Sequence, residues 1–118
     1  MQINEYKMYN INQLRSKIFK ALSDETRLHL LELFRDGQEI CICNIEDLFG
    51  KSQSTISRHL KTLTEVDILE ERKVGVKKLF KIKDPKIFKI LEIADNLIKN
   101  NNKFREIVKL QEKIGVRI

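Results

Sequence analysis

The run SQSTISRHLKTLTE, residues 52–65, decides the fold. Wound at 100° per residue, it places Ile56, Leu60 and Leu63 on one side of a helix. The opposite side carries Ser54, Arg58 and Lys61, with Gln53, Thr55 and Ser57 in or beside the first turn. Ser52 offers a side-chain oxygen to the unpaired N–H groups at the start. No acidic residue appears before Glu65. A helix that merely faces water usually mixes Glu with Lys. One that shows hydroxyls, an amide and cations suits a polyanion. Arg can pair in two-pronged fashion with guanine, Gln with adenine, and Ser or Thr with bases or phosphates. His59 lies beside the apolar side and reads as a half-buried structural histidine.

Working outward, the turn Gly50-Lys51-Ser52 separates this helix from a short one before it. Asn44 is its expected N-cap, Asp47 stands at the capping-box position, and Gly50 suits a left-handed C-terminal residue. After the run, Leu69–Val74 and Val76–Ile82 read as strands meeting at Gly75, which supplies the positive φ of a tight turn. Further out, Ile11, Leu14, Ile18 and Leu22 predict a first helix over 11–22. A second is expected from Glu25 to Asp36, capped by Asp24 or Ser23 and stopped by Gly37, with Leu28, Leu31 and Phe34 inward. Ile40 to Cys43 reads as short and extended. Asp84-Pro85 predicts the start of a last helix over about 85–113, with the stripe Ile87, Leu91, Ala94 and Ile98. Asn100 to Asn102 is where that helix can break.

The order predicts a mainly α fold with a β-hairpin wing, a winged helix-turn-helix of about five to six helices. At 118 residues it reads as one domain, 1–118. The first and last helices hold more apolar surface than one small core needs, so they are the expected dimerisation elements of a homodimer. Net charge is +6. Residues 51–89 hold eleven Lys or Arg against five acids, and the remaining twelve of each sign cancel. A basic stretch within a neutral chain points to a polyanion-binding face, the alternative being an ordinary Lys-rich surface. Lys73, Lys77 and Lys78 stand near the hairpin tip, with Lys81 and Lys83 behind them. The candidate DNA-contacting set is Gln53, Ser54, Thr55, Ser57, Arg58, Lys61, Lys73, Lys77 and Lys78. No apolar run is long enough to span a membrane, and Met1 to Asn10 does not look like a signal peptide. The expected location is the cytoplasm. There is no Gly-rich phosphate loop and no pair of adjacent histidines, so an enzyme finds little support.

Three segments resemble one family. Ala21-Leu22-Ser23-Asp24-Glu25-Thr26-Arg27-Leu28, Glu39-Ile40-Cys41-Ile42-Cys43-Asn44-Ile45 and Ser52 to Leu60 are similar, in order and spacing, to segments of the ArsR/SmtB metal-responsive repressors. The resemblance covers about residues 15–85. It implies a homodimeric repressor, built on its first and last helices, that binds double-stranded DNA at a palindromic operator and needs no cofactor to do so. An inducer of arsenic, antimony or cadmium type then releases the DNA. The resemblance also places the sensor at Cys41 and Cys43. No third Cys follows the pair, and the last helix has no His, which leaves no zinc site of the family's kind there.

In an extended segment Cys41 and Cys43 would share a face, about 6.5–7 Å apart at Cα. Two such thiolates can chelate a soft ion. They suit a methylated trivalent arsenical with two bonding positions, whereas arsenite or cadmium needs a third donor. Reduced thiols are expected in a cytosol. A Cys41–Cys43 disulfide acting as a redox switch, and two plain small apolar residues with no sensing role, are the competing readings. A winged-helix module for protein–protein contact is the remote alternative.

Overall fold

The computed structural model describes residues 8–115. The chain divides at Asp84–Pro85 into two compact units. The first holds α1 (Ile11–Leu22), α2 (Glu25–Leu33), β1 (Ile40–Cys41), a 3-10 turn (Ile42–Asn44), α3 (Glu46–Phe49), α4 (Gln53–Glu65), β2 (Leu69–Val74) and β3 (Lys77–Ile82). The second holds α5 (Ile87–Lys99) and α6 (Asn102–Lys113). The winged helix-turn-helix expected from sequence is present: α3, the turn at Gly50, α4 and the β2–β3 hairpin follow one another.

Local chemistry accounts for most of the boundaries. Asn10 and Gln13 form a reciprocal capping box at the start of α1. Asp24 caps α2 through Arg27 N–H, and Ser52 caps α4 through Thr55 N–H. Gly50 ends α3 at φ 60° and Gly75 opens the hairpin loop at φ 62°, conformations that cost other residues a steric penalty. Positive φ at the first of two loop residues is the II′ pattern, whose twist matches that of the strands.

Three boundaries differ from expectation. α2 stops at Leu33, not Asp36, because Phe34 turns its N–H to the Leu31 carbonyl and tightens the last turn while its ring is fully buried. α3 begins after Ile45 with no side-chain cap, so Asn44 is not its N-cap; it closes the 3-10 turn instead. The side chain of Asp47 lies outside the described residues. Residues 85–113 are two helices rather than one. Pro85 and Lys86 form a turn, and α5 starts at Ile87 without an Asp84 cap. Asn100 ends α5, and the Asn101 side chain accepts from Lys103 and Phe104 N–H to start α6. The Asn run breaks the helix because one of its members makes a better cap than a helical residue.

The first unit is built around α4. Ile56, Leu60 and Leu63 are fully buried. They pack in an α4 that touches α1, α2, β2 and the 3-10 turn. Leu30 and Leu31 of α2, Phe34 just past its end, Ile45 and Leu69 complete the same core. The hairpin extends into a three-stranded antiparallel sheet of order β1-β3-β2, because Ile40 and Cys41 pair with Phe80 and Leu79. Replacing Leu60 by Ala should cost about 2–5 kcal/mol in urea unfolding, through lost burial and a cavity. Lys61→Ala, one residue along on the exposed side, should change stability by less than about 0.5 kcal/mol.

Candidate nucleic-acid interface and cysteine corner

Burying Ile56, Leu60 and Leu63 turns the other side of α4 outward. Gln53, Ser54, Arg58 and Lys61 are exposed, and Thr55 and Ser57 are partly so. The first turn of α4 has no acidic residue. Ser52 Oγ lies 3.1 Å from Ser54 Oγ and 3.0 Å from Thr55 Oγ1, so two of the hydroxyls are ordered by their neighbours.

The hairpin sorts its cations by position. At its base, Lys81 pairs with Glu70 at 3.3 Å and Lys83 with Asp67 at 3.3 Å. Arg72 makes two parallel 2.7 Å bonds to Glu39, which hold the Glu39 carboxyl below its usual range. Lys81 and Lys83, which the sequence places behind the tip in the same basic stretch, thus each have a carboxylate partner, from β2 and from the residues just before it. Near the tip, no ion pair among the described residues engages Lys73, Lys77 or Lys78. Lys73 and Lys78 are direct cross-strand partners. Like charges so placed are destabilising unless an anion relieves them.

Cys41 and Cys43 sit where β1 ends. The extended reading holds only to Cys41, since the chain turns at Ile42 into the 3-10 turn. The cysteines are thus 5.2 Å apart at Cα, closer than a strand would hold them, and their sulfurs are paired as a disulfide rather than lying as separate thiols. Cys41 is buried and Cys43 exposed. Cross-strand partners share a face, so Cys41, Leu79 and Arg72 form one row across the sheet. The Glu39–Arg72 pair spans the row and ties the approach to β1 onto the wing. Among the described residues, no three His, Cys, Asp or Glu side chains are grouped to hold a metal ion.

The chain is similar to known regulators in sequence and in fold. The profile of the bacterial regulatory proteins of the arsR family matches residues 24–71. An uncharacterized HTH-type transcriptional regulator of Methanocaldococcus jannaschii is 38% identical over 82 residues, spanning 70% of this chain and 92% of its own. The arsenical resistance operon repressor of Staphylococcus aureus is 36% identical over 87 residues, spanning 74% and 76%. The chain belongs to the ArsR family. The fold agrees with a homodimeric winged helix-turn-helix DNA-binding domain from Mycobacterium bovis, at TM-score 0.66 and 23% identity over 78% of this chain and 88% of that one. ArsR-family proteins of this kind are DNA-binding transcriptional regulators and not enzymes. No helix among the described residues is long and apolar enough to cross a membrane.

In this ArsR-family chain, sequence reading missed a hub behind α4. Arg27 Nε donates to the Ala21 carbonyl at 2.6 Å, and Nη2 donates to Lys20 at 3.2 Å. Both are carbonyls at the end of α1, where a cation also favours the helix dipole. Arg27 Nη1 reaches His59 Nδ1 on α4 at 3.1 Å. Only its position three residues after the capping Asp24 hinted at this role. Burial holds the His59 imidazole below its ordinary range; Asp24 opposes this, while Arg27, Arg58 and Lys51 reinforce it. The neutral ring accepts from Arg27, and protonating Nδ1 removes that acceptor. The unfolded chain takes up a proton as pH falls through about 6.5, and the folded chain resists it. Stability present above that pH should therefore decline below it. Chemical denaturation of the parent and of His59→Asn between pH 7.5 and 5.5 checks this. The variant should lose less stability over that window, and equal losses would exclude His59 as the source.

Proposed function

We propose that this ArsR-family protein is a homodimeric transcriptional repressor in the cytoplasm. It holds a palindromic operator on double-stranded DNA with α4 and the hairpin, and releases it when a soft thiophile captures Cys41 and Cys43. The observation that carries the DNA reading is the orientation of α4. Its apolar stripe is fully buried, so its acid-free side must face outward, toward whatever the protein binds. Ser54 and Arg58, with Gln53, read base edges; Thr55, Ser57 and Lys61 support them along the groove. Lys73, Lys77 and Lys78 hold phosphates, which relieves the repulsion between Lys73 and Lys78. Dimerisation through the first helix (11–22) and the last two (within 85–113) accounts for exposed Ile11, Leu14, Ile18 and Phe19 on α1. It also accounts for Ile93 and Leu97 on α5 and Phe104, Ile107 and Leu110 on α6.

The inducer reading rests on two adjacent sulfurs that, among the described residues, belong to no group of three His, Cys, Asp or Glu side chains. In the reduced protein, that donor set fits an arsenic or antimony centre with two exchangeable positions; a cadmium ion needs a donor from elsewhere. The S. aureus relative is an arsenical resistance operon repressor, which supports the choice. The pairing of the sulfurs favours a second reading, in which a two-electron oxidant rather than a thiophile is the signal.

Sedimentation at micromolar concentration should show a dimer for the parent and for Arg58→Ala alike. Arg58→Ala should weaken operator binding by about 1–3 kcal/mol and blur sequence preference. Lys78→Ala should weaken all sequences similarly and lower the salt slope by about one unit. A monomer, or equal losses on operator and random DNA for Arg58→Ala, contradicts the corresponding part.

A Cys41→Ser, Cys43→Ser double variant should fold and bind DNA yet lose its response to trivalent arsenicals. Release by the parent requires a preference of roughly 1–3 kcal/mol for the DNA-free form. A variant that still responds places the inducer elsewhere. A parent that answers peroxide but no thiophile transfers the role to oxidation.

A further inference from the structure

His59 follows Arg58 on α4, and its ring is part-buried. Its Nδ1 has two neighbours from α2 and the α2 cap. Arg27 Nη1 stands at 3.1 Å and Asp24 Oδ2 at 3.9 Å. A guanidinium can only donate, so Nδ1 is an acceptor and the ring is neutral. A proton on Nδ1 reverses both relations. The new N–H has nothing to accept it on Arg27, whose charge now repels the ring, and its acceptor is Asp24. The same Asp24 oxygen already takes the Arg27 backbone N–H to cap α2. The rest of the Arg27 fork holds the Lys20 and Ala21 carbonyls that end α1. One proton therefore changes the contact that joins α4 to the end of α1 and the start of α2. The charged groups acting on the ring are Asp24 and Arg27 from α2 and its cap, Lys51 from the turn before α4, and Arg58 from α4 itself. Lys61 and Glu65 of α4 line the same cleft. Among the described residues, no charged group of α1, β2 or the 3-10 turn, the other elements packed on α4, acts on it.

From this we propose that the Arg27–His59 bond positions α4 for operator binding, and that mild acid weakens the operator complex by passing the His59 ring from Arg27 to Asp24. This rests on the reading of α4 as the DNA-binding helix and adds the proton as a signal. Arg58, assigned to base reading, is the next residue along the helix and moves with the ring's backbone. The operator binds the neutral junction better, so by linkage its binding expels the His59 proton in mild acid. That sign is opposite to the one simple charge attraction gives. A histidine that only adds charge beside a polyanion gains a proton on binding and holds DNA more tightly in acid. Burial, with Arg27, Arg58 and Lys51 against Asp24, keeps the free ring's midpoint below about 6.5. At pH 5.5 at least about one molecule in eleven is then still neutral, which sets a ceiling of about elevenfold on the weakening.

The test uses the full chain and a duplex that the protein itself selects from a random pool at pH 7.5. Affinity of the parent for that duplex should fall about three- to tenfold between pH 7.5 and 5.5, with far-ultraviolet circular dichroism reporting that the fold persists. Calorimetry near pH 6, in two buffers of different ionisation enthalpy, should show proton release on binding. His59→Asn keeps an acceptor for Arg27 that does not titrate, so its affinity should stay level across the window. His29→Asn, which alters the other histidine, at an exposed position of α2, should behave like the parent. The proton count needs only the parent, so it decides even where a variant does not fold. Affinity that is level or rises in acid, proton uptake on binding, or an equal fall in His59→Asn overturns the switch and leaves the DNA reading standing. A pool that yields no preferred duplex overturns the DNA reading and this inference with it.

Discussion

The first unit depends on the burial of one stripe of one helix. Ile56, Leu60 and Leu63 lie at i, i+4 and i+7 and lose all contact with water. At about 1.5–3 kcal/mol for each fully buried aliphatic side chain, rotating α4 out of this position is prohibitive. The rotation fixed by that burial is the same rotation that presents Gln53, Ser54, Arg58 and Lys61 to solvent. The side chains that hold α4 and those that give it a binding surface are different, so either set can vary without disturbing the other.

Arg27 ties the back of that helix to the rest. A single guanidinium donates to two terminal carbonyls of α1 and to His59 Nδ1 of α4, while the Arg27 backbone N–H donates to Asp24. Its planar fork with fixed donors makes this possible, and a lysine in its place offers no matching geometry. The end of α1, the start of α2 and the middle of α4 thereby share one polar junction. Under the proposed function, the helix assigned to dimerisation and the helix assigned to DNA are joined through it.

The wing shows how pairing redistributes charge that composition only counts. Arg72, Lys81 and Lys83 look equivalent to Lys73, Lys77 and Lys78 in the sequence, yet the former three have carboxylates at 2.7–3.3 Å. The unneutralised charge concentrates near the tip. The Glu39–Arg72 bridge does more than neutralise, since it braces β1 across β3, next to the row that contains Cys41. The cysteine corner, the wing and the start of α4 consequently line one cleft.

The sequence by itself determined the elements whose signals are local and periodic. The stripe of α4, the caps Asp24 and Ser52, and the turns at Gly50 and Gly75 each follow from side-chain chemistry within a few residues, and all are present. The family's three segments, 21–28, 39–45 and 52–60, were also legible, because they are patterns along the chain. Tertiary structure decided what depends on residues far apart. Ile40-Cys41-Ile42-Cys43 alternates like a strand, but β3 pairs with only its first two residues, so Cys43 leaves the ladder and the two sulfurs meet. Asn101 competes with a helical conformation and wins by capping, which divides the last helix expected over about 85–113 into α5 and α6 at the Asn run. Arg27 meets His59, and Arg72 meets Glu39, across 32 and 33 residues of chain. No periodicity encodes such contacts, because they form only when separately folded elements are packed together.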